Sequence, residues 1–116
     1  MDFNRVTLVG NLVRDPEAKK TGKGGGLTTF TLATNRVWRD PQSKEKNETV
    51  EFHPVAAWGK LGEVVAQYVK KGNKVYLEGR IAHQTFTNKT GAKQSAVNII
   101  AENLILLSPQ SPDAEE

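Results

Sequence analysis

The sequence predicts an all-β protein, a barrel of five strands with one α-helix between the third and fourth strands. Several segments alternate apolar and polar residues with a period of two, which is typical of strands. One segment alone repeats its apolar residues with helical spacing. The chain has 116 residues and no cysteine, which fits one domain held together by its core rather than by disulfides or thiolate metal sites.

The predicted strands cover residues 3–14, about 27–38, about 50–58, 73–87 and about 95–107. Gly10 indicates a bend or bulge in the first strand, and Asp15-Pro16 indicates a turn after it. Pro54 cannot donate a ladder hydrogen bond, so it favours an edge position or a bulge in the third strand. The segments predicted as loops or turns are 21–26, 39–49, which we expect to be mobile, and 88–91.

The helical pattern lies in residues 60–71. Its apolar stripe, predicted to close one end of the barrel, consists of Leu61, Val64, Val65, Tyr68 and Val69. Lys70 and Lys71 suit the negative C-terminal end of the helix dipole, and Gly72 suits a left-handed cap. The order strand-strand-strand-helix-strand-strand is that of the OB architecture, a five-stranded Greek-key barrel.

The fifth strand is apolar on both faces. Val97, Ile99, Ile105 and Leu107 have one parity, and Ile100, Leu104 and Leu106 have the other. The pattern therefore predicts burial on both sides, either in the barrel or against another subunit.

Residues 1–108 are predicted to form the folded domain, and 109–116 a short acidic disordered tail. The net charge of +3 hides an excess of six positive charges in the rest of the chain, once Asp113, Glu115 and Glu116 are set aside. Such an excess favours a polyanionic partner, although ordinary solubility explains the charge equally well. No signal peptide or transmembrane stretch precedes the first strand, so a cytoplasmic protein is expected.

Aromatic residues provide a more specific indication of function. Phe86 shares the parity of charged residues in its strand, which places it on the polar face. Phe52 and Trp58 share a parity, so a regular strand displays both on one face about 20 Å apart. Exposed rings beside basic residues are typical of surfaces that stack nucleic-acid bases, with core packing as the alternative. Trp38 shares the parity of the apolar Phe30, so the pattern leaves it between core and base contact.

Enzyme chemistry finds little support in the sequence. His53 and His83 lie on different predicted strands, and neither belongs to a metal-binding motif, so packed or interface roles are favoured. There is no nucleophile elbow, no phosphate-binding loop and no pair of carboxylates that stands out. We therefore predict no catalytic residues, no metal and no cofactor. The basic residues near the rings that could pair with phosphates are Arg5, Arg36, Arg39, Lys60, Lys70, Lys71 and Lys74.

Four segments, in order, resemble the bacterial single-stranded DNA-binding proteins. They are NRVTLVGNLVRDPE (4–17), FTLATNRVWRD (30–40), ETVEFHPVAAWGKLGEVVAQYVKKGNKVYLEGRI (48–81) and TFTNKTG (85–91). The resemblance implies an OB fold that binds single-stranded DNA without sequence preference in replication, recombination and repair. It also implies a homotetramer associated with the bacterial nucleoid.

The resemblance also assigns roles to individual residues. It implies base stacking by Trp38, Phe52, Trp58 and Phe86 and backbone contacts by Arg5, Lys60, Lys70 and Lys71. It places His53 at a subunit interface. Members often carry basic residues just before the aromatic at position 86, where this chain has Gln84 and Thr85. We therefore expect a weaker dependence of binding on salt.

Two further departures concern ring size and the end of the chain. Phe stands at 52 and 86 where well-known members have Trp, whereas Trp58 replaces a usual Phe. Family members normally continue into a long linker and an acidic tip ending in an apolar residue and Phe, but this sequence ends in PDAEE. The resemblance therefore does not carry over the recruitment of replication and repair proteins.

Two other functions are compatible with the fold. One is an OB-fold interaction module, such as a primosome-type accessory protein with weak nucleic-acid binding, in which Phe86→Ala would break protein docking but leave nucleic-acid affinity unchanged. The other is a nucleotide-processing enzyme, which would show turnover that survives repurification.

Overall fold

The computed structural model describes residues 1–20, 26–87 and 89–108, without the side chains of Lys20, Phe86 and Gln94. Within these residues the elements are β1 (Val6–Leu12), β2 (Glu17–Lys20), β3 (Gly26–Arg39), β4 (Lys46–Trp58), α1 (Gly59–Tyr68), β5 (Lys74–Thr87) and β6 (Lys93–Leu106). The predicted tail 109–116 and most of the predicted loop 21–26 lie outside the described residues, as does position 88 of the predicted turn. The division into domain and tail therefore stays a prediction.

The barrel closes through β1, which pairs with β5 along one side and with β3 at its end. Asn11 is the residue where both pairings meet, facing Lys74 and Ala33. A Cβ atom at Gly10 would collide with the carbonyl oxygen of Ala33, so glycine permits this close approach of two strands. Because the register of β1 on β5 is unbroken, Gly10 is not a bulge. The predicted five-stranded OB barrel, with a helix before its fourth strand, is confirmed.

The short strand β2 is an addition to the predicted elements. It pairs with the first residues of β3, from Glu17 opposite Thr29 to Lys20 opposite Gly26. The sequence EAKK shows no alternation of apolar and polar residues. Hydrogen bonding to β3 thus fixes this strand, and its own pattern does not indicate it.

The strands β3 and β4 form one long hairpin, paired regularly from Leu27 opposite Trp58 to Arg39 opposite Lys46. The predicted mobile loop at 39–49 is wrong, because β4 already begins at Lys46. The connection is a hydrogen-bonded turn, in which the Asp40 amide donates to the Glu45 carbonyl at 2.9 Å and the Asp40 carboxylate accepts from the Gln42 amide at 2.8 Å. Pro54 lies just beyond the two residues of β4 that pair with β6, and so occupies the predicted edge position.

The core fills the barrel and the space beneath α1. It consists of Leu12, Phe30, Leu32, Val55, Ala57, Val65, Val69, Val75, Leu77, Ile99 and Ala101. The helix ends at Tyr68, earlier than predicted, and Gly72 adopts its φ of 87° in the following turn rather than as the helix cap. Val64 and Tyr68 are exposed, so the packed stripe is narrower than predicted. None of the helices in the described residues has the length and apolar character of a membrane span.

A bulge in β6 explains why residues of both parities in this strand reach the core. Glu78 pairs with Asn103 and Gly79 with Ala101, so Glu102 has no opposite residue on β5. The extra residue reverses the parity of the strand. Ile99 and Ala101 before the bulge, and Leu104 and Leu106 after it, therefore pack on the same core, while Ile105 and Leu107 are exposed.

Candidate nucleic-acid interface

The outer face of β4 displays two aromatic rings. Phe52 and Trp58 are 62% and 48% exposed. The register between them on β3 has no irregularity, from Ala33 opposite Phe52 to Leu27 opposite Trp58. They therefore lie on the same face, about 20 Å apart along the strand. The geometry expected for this pair is confirmed, although base stacking itself stays a prediction.

A groove of about 330 Å³ runs along this outer face where β4 meets β6. Its floor includes Ala56 and Ile100, which are directly paired neighbours across the parallel junction of the two strands. Trp58 also lines it. The residues that line it are Arg14, Asp15, Glu17, Leu27, Thr29, Phe30, Thr31, Pro54, Val55, Ala56, Trp58, Gln84, Asn98 and Ile100.

Three polar groove residues were missed by the sequence reasoning. The Asn98 side-chain amide donates to the Gln84 oxygen at 3.3 Å, linking β6 to β5 in the groove wall. Arg14 is exposed and has no ion-pair partner among the described residues. The parity of Gln84, which it shares with Phe86, was an available signal for its face. The position of Arg14 depends on the turn after β1 and carries no such signal.

Phe86 lies in β5 with its backbone opposite Gln94, and this register is regular from Gly79 to Thr87. Its side chain lies outside the described part of the structure. The expected exposure and base contact of Phe86 therefore stay predictions.

Trp38 lies on the opposite face of the β3–β4 hairpin from Phe52. Along β3 it keeps the parity of Phe30 and Leu32, which are buried, and it faces Asn47 on β4. It is nevertheless 41% exposed. The reason is that this end of the hairpin extends past the barrel, where β3 and β4 pair with each other and with no other described strand.

The Arg36 guanidinium sits 5.3 Å from the centroid of the Trp38 ring. Both side chains belong to the same face of β3, two residues apart. The distance is within the range of a cation–π contact. The two residues therefore form one unit at the end of the hairpin that extends past the barrel. We call this extension, residues 34–39 of β3 and 46–51 of β4, the arm.

Arg5 is already engaged by a carboxylate. Its Nη1 donates to Oε2 of Glu78 at 3.1 Å, and the Asn103 side chain donates to Oε1 of the same group at 3.2 Å. The hydrogen bond from Asn103, with a smaller contribution from the Arg5 charge, lowers the pKa of Glu78 from its usual 4.5. Partial desolvation and Glu78 raise the pKa of the neighbouring Tyr76 above 10.0. A backbone contact by Arg5 would have to compete with this ion pair.

The other three predicted backbone cations are exposed. Lys60 follows Trp58 by two residues, in the first turn of α1. The amide of Lys71 donates to the carboxylate of Asp15, a groove residue, at 2.8 Å. The adjacent Lys70 is held by an amide hydrogen bond to the Asn73 side chain at 2.8 Å. Lys60 and Lys71 are thus linked to the groove residues Trp58 and Asp15 through the backbone, Lys70 is not, and the phosphate contacts of all three stay predictions.

His53 is half-buried, and its Nε2 lies 2.8 Å from the Thr34 hydroxyl across the hairpin. The described residues contain no group of three or more His, Asp or Glu side chains that could hold a metal ion. His53 thus has a structural partner within the chain, and its expected place in a subunit interface stays a prediction.

An OB barrel with two exposed rings on one strand face, one of them lining a groove, defines the class of OB-fold proteins with an aromatic binding surface. Residues 3–107 match the Single-strand binding protein family. The chain belongs to that family.

Individual relatives agree with this assignment. The chain is 41% identical over 106 residues to Single-stranded DNA-binding protein 1 of Chlorobaculum tepidum, a match that covers 90% of this chain and 65% of that protein. The chain thus spans about two thirds of the length of this relative. The structure of this chain is similar to that of a Plasmodium falciparum SSB complex with ssDNA. The TM-score is 0.86 at 25% identity, and the match covers 93% of this chain and 97% of that one.

A second solved structure is a deletion mutant of the single-stranded DNA binding protein from Thermus aquaticus. Its TM-score is 0.79 at 28% identity, and the match covers 91% of this chain and 51% of that one.

Proposed function

We propose that this protein binds single-stranded DNA without sequence preference and protects it during replication, recombination and repair. The observation that carries the proposal is the exposure of Phe52 and Trp58 on one face of β4, with Trp58 lining the groove. Stacking on an aromatic ring contributes about 1–3 kcal/mol per base and tolerates every base. The named relatives support the same ligand.

Positive charge supports the contacts with the phosphate backbone, which accompany base stacking. Arg14 lines the groove, the exposed Lys60 follows Trp58 in the chain, and the exposed Lys71 contacts Asp15 through its backbone amide. These cations can therefore neutralise phosphates and release counterions. The role is non-catalytic: rings and cations bind the strand, and no bond is made or broken. The site of action is the bacterial cytoplasm, at the nucleoid.

Tryptophan fluorescence tests this function directly. Titration with oligo-dT should quench the emission of Trp58 and Trp38, and duplex DNA of the same length should bind more weakly. The logarithm of the affinity should fall with the logarithm of the salt concentration by about 0.7 per neutralised phosphate. Equal affinity for duplex, or no quenching by oligo-dT, would contradict the proposal.

Self-association to a homotetramer belongs to the same proposal. Val6 to Gly10 pair with β5 on one side, and on the other side the described residues give them no ladder partner. An open strand edge is a template for pairing with a second chain. Val9, Tyr76 and Ile105 form one row across three strands, and Val9 and Ile105 are about half exposed. These features, with His53, support an interface between copies.

Light scattering at two protein concentrations, with and without oligo-dT, measures this assembly. The expected result is a mass near four chains that does not change with dilution in the working range. A Val9→Lys variant places a charge in the exposed row and should lower the mass. A parent protein with the mass of one chain at both concentrations would contradict self-association. Binding of single-stranded DNA is tested separately by the fluorescence titration.

A further inference from the structure

On the β3–β4 arm, the side chains of Arg36 and Trp38 contact each other, and this contact bears on how the Trp38 ring is held as well as on the local charge. The guanidinium lies 5.3 Å from the ring centroid, over one face of the indole. Both residues are exposed at the end of the hairpin that extends past the barrel. The following inference rests on the proposed function and concerns how Trp38 serves it.

The two arginines that flank Trp38 make different contacts. Arg39 donates from Nη1 to the Lys44 carbonyl at 2.9 Å and so holds the turn at the tip of the arm. Arg36 takes part in no ion pair in the described part of the chain, where Arg5 with Glu78 is the pair present. Its guanidinium, with its central carbon over the indole at 5.3 Å from the ring centroid, therefore keeps N–H donors available.

We propose that Arg36 is a positioning residue for Trp38. The guanidinium covers one face of the indole and holds the ring in one orientation, which leaves the opposite face for a base. The free N–H groups then bind the phosphate next to the stacked base. A ring that is ordered before binding loses less conformational entropy when the base arrives, and this raises affinity.

The test uses a protein with a single tryptophan. The chain has two tryptophans, so Trp58→Phe leaves Trp38 as the only indole and retains an aromatic ring at 58. In this background, Arg36→Gln is compared with Arg36→Lys and with Lys46→Gln. Lys46 lies on β4 directly opposite Arg39, whereas Trp38 lies opposite Asn47 with the other parity. Substitution of Lys46 therefore removes one charge from the arm on the face that Trp38 does not occupy.

The first readout is the time-resolved fluorescence anisotropy of Trp38 in the free protein. Arg36→Gln should add a fast depolarisation from local motion of the ring, whereas Lys46→Gln should leave the decay as in the parent. Arg36→Lys retains a cation but not the planar group, so it should restore ring order only in part. Circular dichroism confirms that all variants are folded.

The second readout is binding of a long oligo-dT over a range of salt concentrations. Arg36→Gln should lower the affinity about two- to fivefold from the lost contact alone. It should also reduce the salt slope by about 0.7, and Arg36→Lys should recover the slope. If Arg36→Gln leaves the anisotropy unchanged and lowers affinity no more than Lys46→Gln, Arg36 is only a surface charge and the inference is wrong. If oligo-dT fails to quench the single-tryptophan parent and the parent with both tryptophans, the proposed function itself fails.

Discussion

Trp38 and Phe52 lie on opposite faces of the same β-hairpin. The regular register of β3 on β4 fixes this relationship, because Trp38 faces Asn47 and Phe52 stands five residues further along, with the other parity. The two rings are thus about 17 Å apart along the arm and separated by the sheet. A DNA strand that contacts both Trp38 and Phe52 has to pass around the hairpin. A DNA strand on one side of the sheet can contact Phe52 and Trp58 together.

This arrangement predicts a dependence on oligonucleotide length. For a dT oligomer of about 6 nucleotides, near the low end of the range for one OB fold, Phe52→Ala should weaken binding by about 1–3 kcal/mol while Trp38→Ala changes it little. For an oligomer of about 16 nucleotides both substitutions should weaken binding. Fluorescence titration measures each affinity, and Val64→Ala on the exposed face of α1 is the control. Equal losses for Trp38→Ala at both lengths would rule out the strand path around the arm.

The groove predicts that Arg14 contributes more to salt dependence than Arg5. Arg14 lines the groove and forms no ion pair in the described residues, whereas Arg5 is bonded to Glu78 at 3.1 Å. Arg14→Gln should reduce the salt slope of oligo-dT binding by about 0.7, and Arg5→Gln should reduce it less. The slopes are measured by titration at several salt concentrations. A larger change for Arg5→Gln would support the backbone contact that the family resemblance implies for Arg5.

Glu78 predicts a loss of stability in acid. Its pKa is lower in the folded protein than its usual 4.5, so the folded state binds fewer protons than the unfolded state through this group. The stabilisation is present above the usual value and is lost as the pH falls through the lowered pKa. Glu78→Gln should therefore lower the free energy of unfolding near neutral pH and flatten its decline below about pH 4.5.

Urea unfolding at a fixed protein concentration, between about pH 6 and about pH 3, checks this behaviour. Glu102→Gln is the matched control, because Glu102 is an exposed glutamate in the bulge of the adjacent strand. If Glu78→Gln follows the same pH curve as the parent, the contacts of Glu78 with Asn103 and Arg5 do not contribute to stability.

Gly62 predicts a purely structural effect. A Cβ atom there would collide with the carbonyl oxygen of Ala57, and the buried Thr28 hydroxyl donates to the Gly62 carbonyl at 2.8 Å. Gly62→Ala should therefore destabilise the protein by about 1–3 kcal/mol, despite the higher helix propensity of alanine. Thermal or urea unfolding measures the change. Gly26→Ala meets no atom within contact distance and is the control.

The sequence by itself determined the five barrel strands, the helix between the third and fourth of them, and the parity that places Phe52 with Trp58. These follow from local alternation, which the backbone obeys wherever pairing is regular. The family could also be identified from the sequence, because the matching segments are continuous. The boundaries of the β3–β4 turn were wrong, since the charged residues that suggest a loop are equally suited to an exposed hairpin.

Only the tertiary structure decided which residues of different strands meet. The bulge at Glu102 reverses parity in β6, and no local signal reports a residue left unpaired by a neighbouring strand. Trp38 has the parity of a core residue and is exposed because its hairpin extends beyond the barrel. Its contact with Arg36 and the meeting of Arg14 with Gln84 and Asn98 in the groove likewise depend on how the strands are arranged in space. Periodicity gives the face of a strand, but barrel closure gives what that face meets.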